Sequence, residues 1–136
     1  SVEIGGVCRG GEGLSRGGGY RRGIGGGAGD RRQGKVTKGG GRSEVRKIAW
    51  QGYDHHIQLV SHGWNTAVGV AADLHLAAAM PVALYVEFLT PAPYIDRIIN
   101  SPFQLADEGC LHVPSGPGLG IELNREALEE FSRDRR

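Results

Sequence analysis

Cysteine and long apolar runs are both scarce in this sequence, and each scarcity argues against a class of protein. Cys8 and Cys110 are the only two cysteines in 136 residues, with no CxxC pair and no metal-type spacing. A disulfide-stabilised secreted fold is therefore not expected, and we predict a reducing, cytoplasmic setting. No apolar run approaches the roughly 18 residues of a membrane span, and no signal peptide precedes the glycine-rich start, so we expect no membrane partner.

Glycine and charge divide the chain near residue 42. Of the 24 glycines, 17 lie in residues 1–41, which leaves this part little apolar surface to offset the entropy of ordering it. Residues 1–43 carry nine Arg or Lys and three Asp or Glu, whereas residues 44–136 carry seven and twelve. We therefore predict that residues 1–42 are disordered or frame-disrupted, since glycine and arginine codons dominate out-of-frame reading of GC-rich DNA.

The arginine-glycine repeats of this first segment leave a nucleic-acid-binding alternative open. Arg9-Gly10-Gly11, Arg16-Gly17-Gly18 and Arg22-Gly23 resemble RGG segments, which bind RNA by charge and stacking. The repeats are irregular and only Tyr20 is available to stack, so a solvated coil is the simpler interpretation. The alternative function is an RGG-type segment fused to a small α/β remnant, and nucleic acid is not the partner that we favour.

The second part of the chain contains an apolar run, a histidine and an alanine-rich run in succession. Residues 57–60 predict a buried strand, and residues 67–79 predict a helix that Asn65 or Thr66 caps. His62 stands between them. A histidine at the carboxyl end of a parallel strand lies where α/β folds build their active sites, which makes His62 the first candidate catalytic residue. A satisfied histidine in an ordinary loop is an equally good interpretation.

A further apolar run, residues 84–89, predicts a second buried strand that contains one carboxylate, Glu87. A carboxylate in such a run is costly unless it is paired, ligated or used, so Glu87 is the second candidate; a surface-facing Glu is the alternative. Upstream, residues 44–53 predict a helix capped by Ser43. Asp73 and His75 are expected on the solvated face of the 67–79 helix.

The last third of the sequence predicts small elements. Residues 103–106 and 110–113 predict a hairpin, a Pro- and Gly-rich loop follows, and Asn124 is expected to cap a final polar helix with Glu126 in its first turn.

Four motifs in this order carry a resemblance to a known family. They are Ser43-Glu44-Val45-Arg46-Lys47-Ile48-Ala49, His62-Gly63-Trp64-Asn65-Thr66-Ala67, Tyr85-Val86-Glu87-Phe88-Leu89 and Gly116-Pro117-Gly118-Leu119-Gly120-Ile121-Glu122. Over about residues 40–131 the sequence resembles the carboxyl-terminal part of an enolase-superfamily enzyme. The branch is that of mandelate racemase and muconate lactonizing enzyme, especially its acid-sugar dehydratases.

The resemblance implies an α/β fold: residues 43–102 would form the last portion of a TIM-type (β/α) barrel, and residues 103–136 a hairpin and helix of the capping domain. The family uses Mg²⁺ to stabilise an enediolate, which forms when the proton α to the carboxylate of a sugar acid is removed. Lyase (dehydratase) and isomerase (racemase) activities both remain open. His62 aligns with the general base or acid, and Glu87 with the glutamate that hydrogen-bonds the substrate carboxylate. Trp64 and Asn65, on the same loop, are assigned to substrate binding.

The sequence departs from the family pattern upstream of this region. Lys35 stands where the family pairs its histidine with an Asp, and the metal-binding carboxylates and the lysine base have no counterpart before Gln33. We therefore expect no metal or other cofactor on this chain alone and no activity of its own. A partial barrel exposes apolar surface and sheet edges, so self-association is expected.

Overall fold

The sheet at the centre of the molecule has four strands, all parallel. The computed structural model describes residues 40–61 and 65–133 and, as backbone alone, residues 9–10 and 31–34. The strands, in the order in which they lie side by side, are β1 (Arg9–Gly10), β2 (Arg31–Gly34), β3 (Gln58–Ser61) and β4 (Ala83–Val86). The helices are α1 (Arg42–Asp54), α2 (Ala67–Ala78), α3 (Pro93–Asp96) and α4 (Arg125–Arg133).

The predicted succession of helix, strand, helix and strand is confirmed over α1, β3, α2 and β4. Both β2 and β4 pair with β3 in parallel, with Gly34 and Val86 in register with Ser61 on either side. Parallel neighbours place all their carboxyl ends at the same edge of the sheet. The fold therefore gathers the residues that follow these strands along one edge.

Two strands lie inside the segment that was predicted to be disordered. The backbone of residues 31–34 pairs with β3, and the backbone of residues 9–10 pairs with β2. The prediction is wrong for these six residues. The rest of residues 1–39 lies outside the described part of the chain, so for them the prediction stays open.

Helix α1 begins earlier than its sequence signals indicated. Gly41 is the N-cap, with φ of 88°, and its carbonyl accepts a hydrogen bond from the Val45 N–H at 3.1 Å. Positive φ is accessible to glycine without steric cost, so the chain turns into the helix here. Ser43, predicted as the cap, lies in the first turn. The buried side of the helix faces β3 and α2 and consists of Val45, Ile48, Ala49 and Gly52.

Strand β4 is shorter and more exposed than predicted. It ends at Val86, so Glu87 follows the strand instead of standing inside it. Its residues are half-buried or exposed, and the Tyr85 side chain is 61% exposed. The reason is topological: among the described strands β4 has β3 on one side only, so its apolar sequence does not become a buried strand.

Helix α2 is buried nearly all round, because hydrophobic clusters lie on both of its sides. One cluster joins it to α1 and β3 through Val45, Ala49, Leu59, Ala72, Leu76 and Met80. The other joins it to α3 and the C-terminal segment through Ala67, Val70, Leu74, Ala92, Ile95, Ile98 and Ile99. Asp73 is 0% exposed, so its predicted place on a solvated face is wrong. His75 is half-buried, with Nε2 3.3 Å from the Leu119 carbonyl oxygen.

The C-terminal segment packs against the second of these clusters. A single antiparallel bridge, Leu105 to Leu111, stands where a hairpin was predicted. Asn124 caps α4 as expected, since its Oδ1 accepts a hydrogen bond from the Ala127 N–H at 3.1 Å. Arg97 ties the helix to α3: its guanidinium donates to Glu130 at 3.1 Å and lies 5.2 Å from the centre of the Phe131 ring.

Candidate active site

The carboxyl edge of the sheet is the place where the predicted site residues should meet. The Glu87 N–H donates to the Ser61 carbonyl at 3.2 Å, which continues the β3–β4 pairing one residue past β4. Ser61 is the last residue of β3 and His62 is the next residue in the chain. Glu87 therefore stands beside the point at which the His62 loop leaves the sheet.

Two of the four predicted site residues lie outside the described part of the chain. These are His62 and Trp64; Lys35, the residue aligned with the family's Asp, also falls there. Gly34 and Ser61, which are in register at the ends of two neighbouring strands, directly precede Lys35 and His62 in the sequence. The roles assigned to these side chains stay predictions.

Glu87 is half-buried, and it interacts with other residues of the protein. Since β4 has already ended, its carboxylate does not lie inside a buried apolar strand, and the desolvation argument from the sequence does not apply in that form. Glu87 remains a candidate because of its position: it lies at the carboxyl edge of the sheet, next to Ser61.

Asn65, predicted to bind substrate, makes a contact within the protein. Its Nδ2 donates to Oδ2 of Asp73 at 3.2 Å. Asp73 is the only charged residue among the buried side chains of the described part, although it was predicted on the solvated face of its helix. Its neighbours in α2 are buried too, and that continuous apolar run is the signal that could have marked it.

Ser61 has a second feature at this edge. Its side chain is 4% exposed, and its Oγ makes no hydrogen bond within the described part of the chain. A buried hydroxyl without a partner is uncommon and costs free energy. Ser61 directly precedes His62 in the sequence, so a buried polar side chain ends β3 next to the first candidate residue.

The described residues do not fit a magnesium site. Across residues 40–61 and 65–133, no three His, Cys, Asp or Glu side chains come close enough together to hold a metal ion. Mg²⁺ binding in proteins needs carboxylate oxygens in near-octahedral geometry.

A model of the family described as enolase C-terminal domain-like matches residues 9–127. The chain belongs to this family. The match begins well before residue 40, where the resemblance seen in the sequence begins, and it includes β1 and β2. Sequence reasoning missed these strands because no apolar run marks them.

Individual relatives agree with the family assignment. The chain is 41% identical over 101 residues to D-galactarolactone cycloisomerase of Agrobacterium fabrum (strain C58), covering 68% of this chain and 26% of the relative. It is 32% identical over 98 residues to a D-galactonate dehydratase family member of Streptomyces bingchenggensis (strain BCW-1), covering 71% and 24%. The chain thus spans about a quarter of the length of these curated relatives.

A solved structure shows the same fold. The mandelate racemase/muconate lactonizing enzyme from Sulfitobacter sp. superposes with a TM-score of 0.81 at 28% identity, covering 88% of this chain and 30% of that one. The sheet and helices are therefore the carboxyl-terminal, TIM-barrel-like portion of an enolase-superfamily fold. The described part of the chain contains no helix with the length and hydropathy of a membrane span.

Proposed function

We propose that the carboxyl edge of this sheet is part of an active site that removes the proton α to the carboxylate of a sugar acid. The observation that carries the proposal is the Glu87 N–H to Ser61 carbonyl hydrogen bond, which sets Glu87 beside the start of the His62 loop. The relatives named for galactarolactone and galactonate support a sugar acid or its lactone as the substrate class. Cycloisomerase, dehydratase and racemase activities share this first step.

In this proposal the two residues have different tasks. His62, as neutral imidazole, accepts the α-proton, or as imidazolium it protonates the departing hydroxide. Glu87 holds the substrate carboxylate; two carboxyl groups hydrogen-bond only when they share a proton, so the pair binds as one acid and one carboxylate. Asn65 is directed at Asp73, so we do not retain it as a substrate ligand; Trp64 keeps its predicted role.

The decisive experiment places residues 40–133 in the relative that supplies the rest of the barrel. We would replace the corresponding segment of D-galactarolactone cycloisomerase, 41% identical to this chain, and measure turnover of the lactone. The chimera should be active. His62→Gln should lower kcat by about 10²- to 10⁴-fold, the usual contribution of general acid–base catalysis. Glu87→Leu, which can neither donate nor accept a hydrogen bond, should lower kcat/KM by about 10- to 100-fold, as for a lost hydrogen bond to a charged group.

A matched control uses another histidine of the same segment. His112 is exposed on the C-terminal segment, so His112→Gln should leave turnover unchanged. An active chimera that tolerates His62→Gln as well as His112→Gln would refute the proposed role of His62.

We further propose that the chain by itself does not turn over sugar acids. It spans about a quarter of its relatives, and the described residues supply no metal site to stabilise the charge that develops in the reaction. Purified chain with Mg²⁺ should leave D-galactarolactone and D-galactonate unchanged by NMR. Conversion of either compound, abolished by His62→Gln, would show that the chain is sufficient.

The cytoplasmic setting, self-association and the RNA-binding alternative remain predictions. The cytoplasmic setting rests on the two cysteines, and self-association rests on the exposed strand β4. The RNA-binding alternative rests on repeats that lie mostly outside the described part; Arg9 and Gly10 within them are paired in β1, which an RGG coil does not require.

A further inference from the structure

We infer that Phe103 of the C-terminal segment is a positioning residue for Glu87. Its ring holds the ring of Phe88, and the packing of Phe88 fixes the face of the sheet on which Glu87 stands. The consequence for turnover rests on the proposed function, in which Glu87 holds the substrate carboxylate and Phe103 does not touch the substrate. The geometry is independent of that function.

The stretch that follows β4 has little support from its backbone. The Glu87 N–H donates to the Ser61 carbonyl at 3.2 Å. From residue 88 to residue 91, no backbone-to-backbone hydrogen bond is present within the described part of the chain. A stretch without such bonds depends on its side chains to offset the entropy of adopting one conformation. The packing of these side chains therefore decides how firmly Glu87 is held.

Alternate residues at the end of β4 pack against one hydrophobic cluster. Val86 and Phe88 both lie against the cluster that α2 shares with α3 and the C-terminal segment, whereas Tyr85 is 61% exposed. Successive side chains of an extended chain point to opposite faces. Glu87, between Val86 and Phe88, therefore stands on the same face as Tyr85. Release of Phe88 from the cluster would free Glu87 to leave that face.

The Phe88 ring has an aromatic partner in the C-terminal segment. The ring centres of Phe88 and Phe103 are 6.2 Å apart, and the ring planes are inclined by 85°. This is the edge-to-face arrangement that aromatic pairs favour, and it stabilises beyond the area that the rings bury. Because the arrangement is directional, Phe103 restricts the orientation of the Phe88 ring as well as its burial.

Phe103 follows a firmly bonded part of the C-terminal segment. The Asn100 N–H donates to the Glu122 carbonyl at 2.9 Å. The Asn124 N–H donates to the Ile98 carbonyl at the same distance, and Ile98 is buried in the cluster. The C-terminal segment therefore offers Phe88 a fixed partner.

The test is amide hydrogen exchange in the full chain, followed by NMR. The Glu87 N–H reports on the carboxyl end of the β3–β4 pairing, and the Leu59 N–H, which donates to the Val82 carbonyl at 2.8 Å, reports on its amino end. Phe103→Leu keeps an apolar side chain in the cluster and removes the ring. We expect exchange at Glu87 to become about tenfold faster, the scale of one lost aromatic pair, and exchange at Leu59 to stay unchanged.

Further variants separate the ring contact from general packing. Phe103→Tyr retains the ring, so exchange at Glu87 should keep its native rate. Phe88→Leu removes the other ring of the pair and should act like Phe103→Leu. In the double variant of Phe88→Leu with Phe103→Leu, exchange at Glu87 should be no faster than in the more affected single variant, because one substitution already removes the contact.

Phe131 provides the matched control. Its ring packs against the same cluster, and the Arg97 guanidinium lies 5.2 Å from the ring centre. Phe131→Leu should loosen the cluster without removing the contact between Phe88 and Phe103. Its effect on exchange at Glu87 should therefore multiply with that of Phe88→Leu, whereas the effect of Phe103→Leu should not.

The active chimera supplies a readout that a merely structural role would not change. Phe103→Leu should raise KM for the lactone more than it lowers kcat, because the substrate carboxylate is held less well in the ground state and the transition state alike. In the Glu87→Leu background, Phe103→Leu should have no further effect on KM, since the side chain that it positions is gone. Phe103→Tyr should retain the native KM.

Each outcome decides the inference. Equal acceleration at Glu87 and Leu59 in Phe103→Leu, or effects of Phe88→Leu and Phe103→Leu that multiply, would mean that the rings act only as part of the core, and would overturn it. A rise in KM that persists in the Glu87→Leu background would also overturn it. If Phe103→Leu unfolds the chain, the rates at Glu87 and Leu59 in Phe88→Leu decide in the same way. A chimera that tolerates Glu87→Leu would refute the proposed function and leave the exchange result standing, so the two failures are distinguishable.

Discussion

Strands β3 and β4 are neighbours in one parallel sheet, yet only β3 is buried. Leu59, Val60 and Ser61 in β3 are all inaccessible, whereas β4 is half-buried and exposes Tyr85. β3 has a strand on each side and two helices packed against it; β4 has one described strand beside it. The apolar sequence of β4 is therefore suited to a neighbour that the described part of the chain does not contain, as expected for part of a closed barrel.

The difference in burial between β3 and β4 bears on two properties of the chain, its stability and its association with other strands. Burial at β3 contributes to the stability of the chain, because cluster residues from α1 and α2 meet there. Exposure at β4 leaves a sheet edge that can pair with another strand. Both strands end beside a candidate site residue, so the candidate site lies between a buried strand and a more exposed one.

The largest expected effect is a difference in stability between the same substitution on the two strands. Leu59 is 4% exposed, so Leu59→Ala should lower the free energy of unfolding by about 2–4 kcal/mol through lost burial and a residual cavity. Leu84 is half-buried, and Leu84→Ala should cost about 1 kcal/mol. Urea unfolding followed by circular dichroism measures both. Equal losses would mean that β4 is as well packed as β3.

The second effect concerns association at the exposed strand. Tyr85→Lys puts a charge on the β4 edge, where edge strands commonly carry lysine to prevent pairing. We expect the dissociation constant for self-association to rise about tenfold, which corresponds to about 1.4 kcal/mol. Light scattering over a range of concentrations gives the mass. Tyr94→Lys, on the exposed face of α3, is the control and should not change it. A native chain that is monomeric throughout would remove the basis of this prediction.

Sequence reasoning succeeded where periodicity and end signals agree. The α1–β3–α2–β4 succession and the Asn124 cap were predictable because apolar runs of the right length are bounded by Pro, Gly or capping residues. β1 and β2 were not predictable, because sheet pairing orders polar, glycine-rich residues that have no strand pattern of their own.

At the candidate site, too, one residue could be predicted from the sequence and another could not. Glu87 could be chosen as a candidate from the apolar run that contains it. Only the structure shows that it lies just beyond Val86, the last residue of β4. Asp73 could not, because a single carboxylate in a helix ordinarily indicates the solvated face. Only the packing of clusters on both sides of α2 shows that this helix has no solvated face at Asp73.

The smallest expected effect asks whether the C-terminal segment protects β4 more than β3. Val86 of β4 packs against the same cluster as Leu128 and Phe131 of α4, whereas β3 contributes to the other cluster. Asn124→Ala removes the cap of α4 and should cost about 1 kcal/mol. Because local opening exposes only the elements that depend on the lost contact, amide exchange should accelerate in β4 and remain unchanged in β3. Asn100→Ala is the control: its amide is exposed and 3.5 Å from Glu122 Oε2, so neither strand should respond. Equal acceleration in both strands would mean that β3 and β4 open together, and that the contrast between them is one of exposure alone.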